Sequence, residues 1–215
     1  MGVVMFGRTS DEEAFHVKGT IAQVMQYQRQ QMRDEINRIP ETKLKSASVD
    51  QLAEEMAEKF SINIPVLDES AVRPASREVD IDFSGDPYSR AYHTGRGGVQ
   101  KGTEIGISVP YQGDAEVFRF HASSHTMDYP RGRIEGSEIV FRRRGANLDA
   151  GQVRRDFDGW LAAIKQHLTQ MTQELGDFNN TLIGEASNAL NARMTKFQRD
   201  DQLLAGLGFG TTTRS

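Results

Sequence analysis

The sequence predicts an α+β fold, with a small antiparallel four-stranded sheet flanked by N-terminal helices and a long C-terminal helical segment. Three observations support this class. Capping residues precede amphipathic stretches in the first third of the chain, polar and apolar residues alternate in the middle, and a helical period returns near the end. We expect an N-terminal helical region (1–70), a sheet region (71–146) and long C-terminal helices (147–208), together forming one compact domain with a helical extension.

The composition fits a protein with a sizeable core and much polar helix surface. Of 215 residues, 37% are hydrophobic and 26% are charged, and the net charge is −4. Binding to nucleic acid by bulk attraction is therefore not expected, and it would need a local basic patch. Cysteine is absent, which excludes disulfides and favours a cytoplasmic location. No apolar run reaches the roughly 18 residues of a membrane span, so no membrane partner is expected.

Two helices are predicted in the N-terminal region. The first begins at Ser10, a good capping residue, and ends at Ile39 because Pro40 cannot continue it. The second begins after a Ser48 cap and ends near Ser61.

The middle of the chain has the period of two that is typical of strands, in the runs 78–83, 103–109, 115–120 and 133–141. Short turns between them predict an antiparallel sheet. One face would need cover from the helices, and it is predicted to hold Val79, Ile81, Phe83, Ile105, Ile107, Val109 and Val117.

The C-terminal segment has the clearest pattern in the sequence. It begins at a capping Asn147 or Asp149, and Gly176 is expected to kink or break it. Apolar residues alternate steps of four and three in a heptad seam, which consists of Phe157, Leu161, Ile164, Leu168, Met171, Leu175, Phe178 and Leu182. So regular a seam predicts an interface with a second copy or with a separate effector protein. The alternative is that it packs within the chain, against the first helix and the sheet.

An arginine cluster is the strongest charge feature. Arg131, Arg133, Arg142 and Arg144 occur around the fourth predicted strand, and Arg143 should project to the opposite face from its neighbours. Such a cluster suits a nucleic acid or an acidic partner. A solvated sheet edge that arginines protect against pairing explains it equally well.

Two further groups of residues have compositions that could support chemistry. His121 and His125, with Asp128 nearby, have a spacing that suits zinc or iron in a metal-dependent hydrolase, although two exposed loop histidines explain the pattern more simply. The glycine-rich stretch at 92–101, with Arg96 and Lys101, resembles an anion-binding loop in composition only. No motif requires an enzyme, and no cofactor is expected.

Several short motifs resemble a recurring module of uncharacterised bacterial proteins. They are 109–114 (VPYQGD), 117–118 (VF), 130–132 (PRG), 178–182 (FNNTL), Arg193 and 203–208 (LLAGLG), and the resemblance covers roughly residues 75–208. In those proteins the module often lies N-terminal to an effector domain, such as a restriction-endonuclease-like or TIR domain, and the family is associated with anti-phage defence. Here the sequence stops at Ser215, where the effector would begin. The resemblance therefore implies a sensor, scaffold or assembly role, with chemistry supplied by another chain.

The expected function is thus a non-catalytic interaction subunit of a bacterial defence complex, which oligomerises or docks an effector through its long C-terminal helices. The alternative is a nucleic-acid-binding module that uses the arginine cluster.

Overall fold

The computed structural model describes residues 13–14, 18–82, 99–123 and 131–207, and within these ranges the α+β class is confirmed. The helices are α1 (Ile21–Arg38), α2 (Glu41–Ser46), α3 (Val49–Phe60) and α4 (Ala150–Gly206). The strands are β1 (Glu13–Ala14), β2 (Val66–Leu67), β3 (Arg73–Asp82), β4 (Val99–Gln112), β5 (Arg131–Glu135) and β6 (Glu138–Gly145).

The chain divides into two compact units. The sheet unit comprises Met1–Thr20 and Ile64–Met171, and the helical unit comprises Ile21–Asn63 and Thr172–Ser215. α4 therefore contributes its first part to the sheet unit and its second part to the helical unit.

All strand pairs of the sheet are antiparallel, and β4 lies at its centre. β4 pairs with β6 on one side, and with β3 and the short β2 on the other. β5 and then β1 continue the sheet beyond β6. The central position of β4 means that its residues set the register of the long strands on both sides.

The predicted strand at 133–141 is in fact a hairpin of two strands. Glu135 pairs with Glu138, so Gly136 and Ser137 form a two-residue turn. Gly136 has a φ of 60°, the left-handed region that such turns require and that glycine adopts without strain. The turn has two residues, so the polar and apolar residues on its two sides keep the same period of two. The alternation in the sequence therefore reads as one continuous strand and does not reveal the turn.

The prediction of a strand at 115–120 was wrong. Residues Ala115–Arg119 form a 3₁₀ turn instead. The neighbours Val117 and Phe118 are both buried, which a strand with alternate faces does not permit. Phe118 packs edge-on against Tyr111 with 5.0 Å between ring centroids, so the turn contributes to the core of the sheet unit.

The predicted apolar face of the sheet was also wrong in part. Val79 pairs with Gly102, so it lies on the face opposite to Ile105 and Ile107, which are odd-numbered residues of β4. Ile81 shares the face of Val79 and covers Gly102. Phe83 lies outside the described residues. Alternation along one strand could not reveal this, because only the pairing register determines which faces coincide.

The first helix begins later than predicted. α1 begins at Ile21, whereas Glu13–Ala14 forms β1 and pairs with β5. Gly19 has a φ of 136°, which a helix cannot accommodate, and its carbonyl accepts a hydrogen bond from the His121 amide. The proposed cap, Ser10, lies outside the described residues.

The second predicted helix corresponds to α3, which Ser48 precedes, but the Ser48 side chain makes no capping hydrogen bond. α2 was not predicted. It follows Pro40 directly, and the Pro40 carbonyl accepts the Leu44 amide at 3.0 Å.

The predicted break at Gly176 is absent, since α4 is continuous from Ala150 to Gly206. Asp149 caps it, accepting a hydrogen bond from the Gln152 amide at 2.7 Å. Leu175 and Phe178, on either side of Gly176, are buried. Their burial outweighs the roughly 1 kcal/mol that glycine costs within a helix.

In the helical unit, polar side chains join α4 to the N-terminal segments. The Asn179 side chain both donates to the Ile62 carbonyl and accepts from its amide, each at 3.0 Å. Arg193 donates to the carbonyls of Ile36 and Ile39 at the end of α1, each at 2.5 Å. These bonds tie α4 to backbone groups at the end of α1 and after the end of α3.

Candidate functional site

The eight residues of the heptad seam all lie in the interior of the chain. Their exposed fractions range from 0% to 8%. Residues from Phe157 to Met171 belong to the sheet unit, and Leu175, Phe178 and Leu182 belong to the helical unit. A partner that bound these side chains would first have to displace their present packing. The structure thus favours the alternative of packing within the chain, and a partner surface has to be sought among other residues.

The four arginines of the predicted cluster lie on one face of the sheet. Glu104 of β4 pairs with Arg144 of β6 and with Arg77 of β3, so these three side chains share a face. Alternation along each strand extends this face, here called the arginine face, which carries Arg73, Arg77, Arg131, Arg133, Arg142 and Arg144.

The opposite face of the sheet packs against α4 at β6. Phe141 packs against Phe157 and Trp160, with ring centroids 5.9 and 5.6 Å apart. Arg143 lies on this face, as predicted, and forms an ion pair with Asp156 of α4 at 2.8 Å. Because α4 occupies this face at β6, the arginine face is the one on which a ligand of β6 would bind.

A buried carboxylate organises the centre of the arginine face. Glu104 is 4% exposed, and its Oε1 accepts hydrogen bonds from Arg77, whose Nε lies 2.7 Å away. Its Oε2 accepts from Nε of Arg144. Burial by itself would raise the pKa of Glu104, but the hydrogen bonds from Arg77 and Arg144 outweigh it and lower the pKa below its ordinary value. Glu104 therefore stays ionised and holds both guanidinium groups.

The arginine face keeps a positive excess. Glu135 accepts from Arg142 at 2.6 Å and lies 3.8 Å from Arg133. Together with Glu104 and Glu138, it provides three negative charges against six arginines on the described strands of this face. Arg73 and Arg131 are exposed, and Arg77 is 59% exposed at its side chain. The face is therefore electropositive although the whole chain is acidic.

Sequence reasoning missed three members of this arrangement. Arg73, Arg77 and Glu104 fall in predicted strands or beside them, but each looks like one polar residue of an amphipathic pattern. The only signal in the sequence was the alternation of these residues with their neighbours. That alternation shows which residues share a face only when the pairing register of β4 with β3 and β6 is known.

The proposed metal ligands are not brought together by the described part of the chain. His121 is buried, and its Nδ1 lies 3.0 Å from the Ala122 carbonyl. His125 and Asp128 lie outside the described residues, as does Arg96 of the glycine-rich stretch. Among the residues that are described, no group of three or more acidic or histidine side chains is placed to hold a metal ion. Lys101 pairs with Asp80 at 2.8 Å on the face opposite to the arginines.

The end of α4 carries a second exposed feature. Every residue from 198 to 207 is exposed. Three of them are leucines, Leu203, Leu204 and Leu207, with exposed fractions of 69%, 49% and 56%. Three large apolar side chains within five residues make this the most apolar exposed stretch of the described helices.

Comparisons with known proteins identify no relative. No family model, curated protein or solved structure matches this chain significantly. No helix within the described ranges is both long and apolar enough to cross a membrane.

Proposed function

We propose that this protein binds nucleic acid through the arginine face of its sheet. The observation that carries the proposal is the register, which gathers six arginines on the face opposite to α4. Guanidinium groups suit phosphate because their planar fork donates two parallel hydrogen bonds. The alternative is that the arginines protect a sheet edge against pairing with another strand. That role would need arginines on the outermost strand only. Here the arginines are distributed over three strands, β3, β5 and β6, and do not follow a single edge.

Salt-dependent DNA binding tests this proposal. Arg73→Ala/Arg133→Ala removes two charges from the face and leaves the Glu104 contacts in place. We expect the slope of log affinity against log salt to become shallower by about 2, because each lost phosphate contact contributes about 0.9. The measurement is fluorescence anisotropy of a labelled DNA duplex across a salt series.

The matched control is Arg154→Ala/Arg155→Ala, which removes the same charge from exposed positions of α4. It should retain most of the wild-type slope. Equal losses in the two double variants would mean that only net charge matters, and the arginine face would then not be the binding site.

A second function, in assembly, is favoured by the exposed leucines. Leu207, in the turn directly after α4, lies four residues from Leu203 and three from Leu204, so the three share one side of this chain segment. A helix end that is exposed all round gains little from tertiary packing and is marginal by itself in water. The segment also carries charges of both signs that suit pairing with an identical segment, Lys196 and Arg199 against Asp200, while Asp201 pairs with Lys45 of the same chain at 2.6 Å.

We therefore propose that the end of α4 pairs with a second copy of the chain. The resemblance noted in the sequence supports a place for such a dimer in a bacterial, cytoplasmic defence complex with a separate effector.

Light scattering over a concentration series tests the pairing. The wild type should approach the mass of a dimer, and Leu203→Glu/Leu207→Glu should remain a monomer. Gln198→Glu/Gln202→Glu, which adds the same charge to the same segment, should still dimerise. A wild type that is monomeric at all concentrations would contradict pairing with a second copy, and a complex with only an effector chain would reassign the surface to that partner.

A further inference from the structure

We infer that the arginine face binds one phosphate group of the nucleic-acid backbone in a shallow recess above Gly106. This inference rests on the proposed nucleic-acid binding and assigns it a point of contact.

The floor of the recess is made of small residues. Gly106 pairs with Ala75 of β3, and Ser108 follows on the same face of β4. A Cβ atom placed on Gly106 would have its nearest neighbour, Cγ1 of Val140, at 4.0 Å. The other glycine of β4, Gly102, is different, because Ile81 and the Gly145 carbonyl occupy the space above it. Of these two glycines, only Gly106 leaves room for a ligand atom near the backbone.

Most of the cross-strand neighbours of this recess are cationic. Gly106 has six cross-strand neighbours on its face, two directly opposite and four diagonal, at about 4.5 to 8 Å between Cα or Cβ positions. Four of the six are arginines. Arg142 is directly opposite, and the diagonal positions hold Arg73, Arg77 and Arg144. A phosphate above Gly106 is therefore within reach of four long guanidinium side chains.

The ion pairs of these arginines leave donors for a ligand. A guanidinium group has five N–H donors. Arg77 uses Nε and one terminal nitrogen for Glu104, and Arg144 uses Nε for the same carboxylate. Arg142 uses Nη2 for Glu135. Glu104 thus acts as a positioning residue, since it fixes two guanidinium groups and leaves them with free N–H groups.

The side chains of this face favour the backbone over the bases. Proteins that bind single strands through a sheet stack the bases on exposed aromatic rings. Among the described residues of the arginine face, none is aromatic. Contacts to phosphate alone carry no sequence information. We therefore expect this face to bind DNA duplexes of unrelated sequence with similar affinity.

Filling the recess tests the inference directly. Gly106→Val adds a β-branched side chain that strands favour, at a position where a Cβ meets no close contact. We expect at least a tenfold loss of affinity for a labelled DNA duplex at low salt, and a salt slope shallower by about 1, because one phosphate is excluded. Ser76→Val is the matched control, since it adds bulk to an exposed position of β3 on the opposite face.

The results separate the inference from the proposed function. Wild-type binding by Gly106→Val, together with the loss expected for Arg73→Ala/Arg133→Ala, would overturn the recess and leave the arginine face standing. Absence of DNA binding by the wild type at low salt would overturn both. Poly-glutamate that displaces the duplex as well as a phosphate polymer of equal charge would assign the face to an acidic protein and overturn the inference. If Gly106→Val does not give the circular dichroism of the wild type, Ser108→Val fills the neighbouring part of the floor and is expected to give the same loss.

Discussion

Glu104 lies on the sheet face opposite to α4, yet it is as inaccessible as the core residues. Two arginines from neighbouring strands cover it and supply hydrogen bonds to both of its oxygens. A buried carboxylate without such partners would be strongly destabilising. The same contacts hold Arg77 and Arg144 in fixed positions, so Glu104 links the stability of the sheet to the geometry of the arginine face.

Replacing this carboxylate should destabilise the protein. Glu104→Gln keeps the size of the side chain but removes the charge that both guanidinium groups contact. We expect a loss of roughly 1.5 to 3 kcal/mol in the free energy of unfolding at neutral pH, as for hydrogen bonds to charged groups. Urea unfolding followed by circular dichroism measures it. Glu78→Gln, which weakens an exposed pair with Lys101, should change stability by no more than about 0.5 kcal/mol.

The loss should also depend on pH. The pKa of Glu104 is lowered in the folded protein, whereas the pKa of an unfolded glutamate is about 4.3. Its stabilising contribution is therefore complete above about pH 5 and is lost as the pH falls through the folded pKa. The difference between wild type and Glu104→Gln should be largest near pH 7 and shrink below about pH 4. A difference that stays constant over this range would show that the carboxylate charge is not the cause.

At the scale of whole elements, α4 shows how burial overrides local preference. Gly176 and Gly184 are both weak helix formers in its interior, and a Cβ at either position would meet nothing within 4 Å. Apolar residues at helical spacing continue past both glycines, and Leu175, Leu182 and Leu190 are almost fully buried. Their burial stabilises the helix through the positions where the local sequence favours a break.

Gly176→Ala should therefore stabilise the protein. Alanine removes the backbone entropy cost of glycine in a helix, and the added methyl group has room. We expect a gain of up to about 1 kcal/mol in the free energy of unfolding, measured as a higher urea midpoint.

Gly102→Ala is the opposing control in the same experiment. Its methyl group would meet Ile81 and lie 2.9 Å from the Gly145 carbonyl oxygen, so this variant should be less stable than the wild type. A loss of stability in Gly176→Ala would indicate that the helix is broken at that residue after all.

For the whole molecule, the notable property is the separation of charge. The chain carries a net charge of −4, but the arginine face has an excess of three positive charges. Local fields of this kind can attract a polyanion to a protein that is acidic overall.

The separation predicts an unusual chromatographic behaviour. Near neutral pH and at low salt, the protein should bind both an anion exchanger, through its net charge, and a heparin column, through the arginine face. Arg73→Ala/Arg133→Ala should elute earlier from heparin and later from the anion exchanger. Arg154→Ala/Arg155→Ala should shift the anion-exchange elution in the same way but leave the heparin elution close to that of the wild type. A wild type that flows through heparin would contradict an accessible cationic face.

Local patterns in the sequence were enough to determine the fold class, the helix that follows Ser48, a cap at Asn147 or Asp149 and the seam of α4. Each of these depends on residues close together in the chain, where helical or strand period and capping chemistry act directly. The opposite faces of Arg142 and Arg143 were predictable for the same reason.

Only the tertiary structure determined which side chains lie next to each other across the strands of the sheet. The register of β4 placed Glu104 between Arg77 and Arg144, and left Gly106 open while Gly102 is covered. A slip of one residue would reverse every face, and no local pattern specifies that choice. The seam of α4 is a similar case. Its period predicts that these side chains are buried, but it does not indicate whether this chain or a partner chain buries them. Within this chain the seam is buried, so the surfaces proposed for partners are the arginine face and the exposed end of the helix.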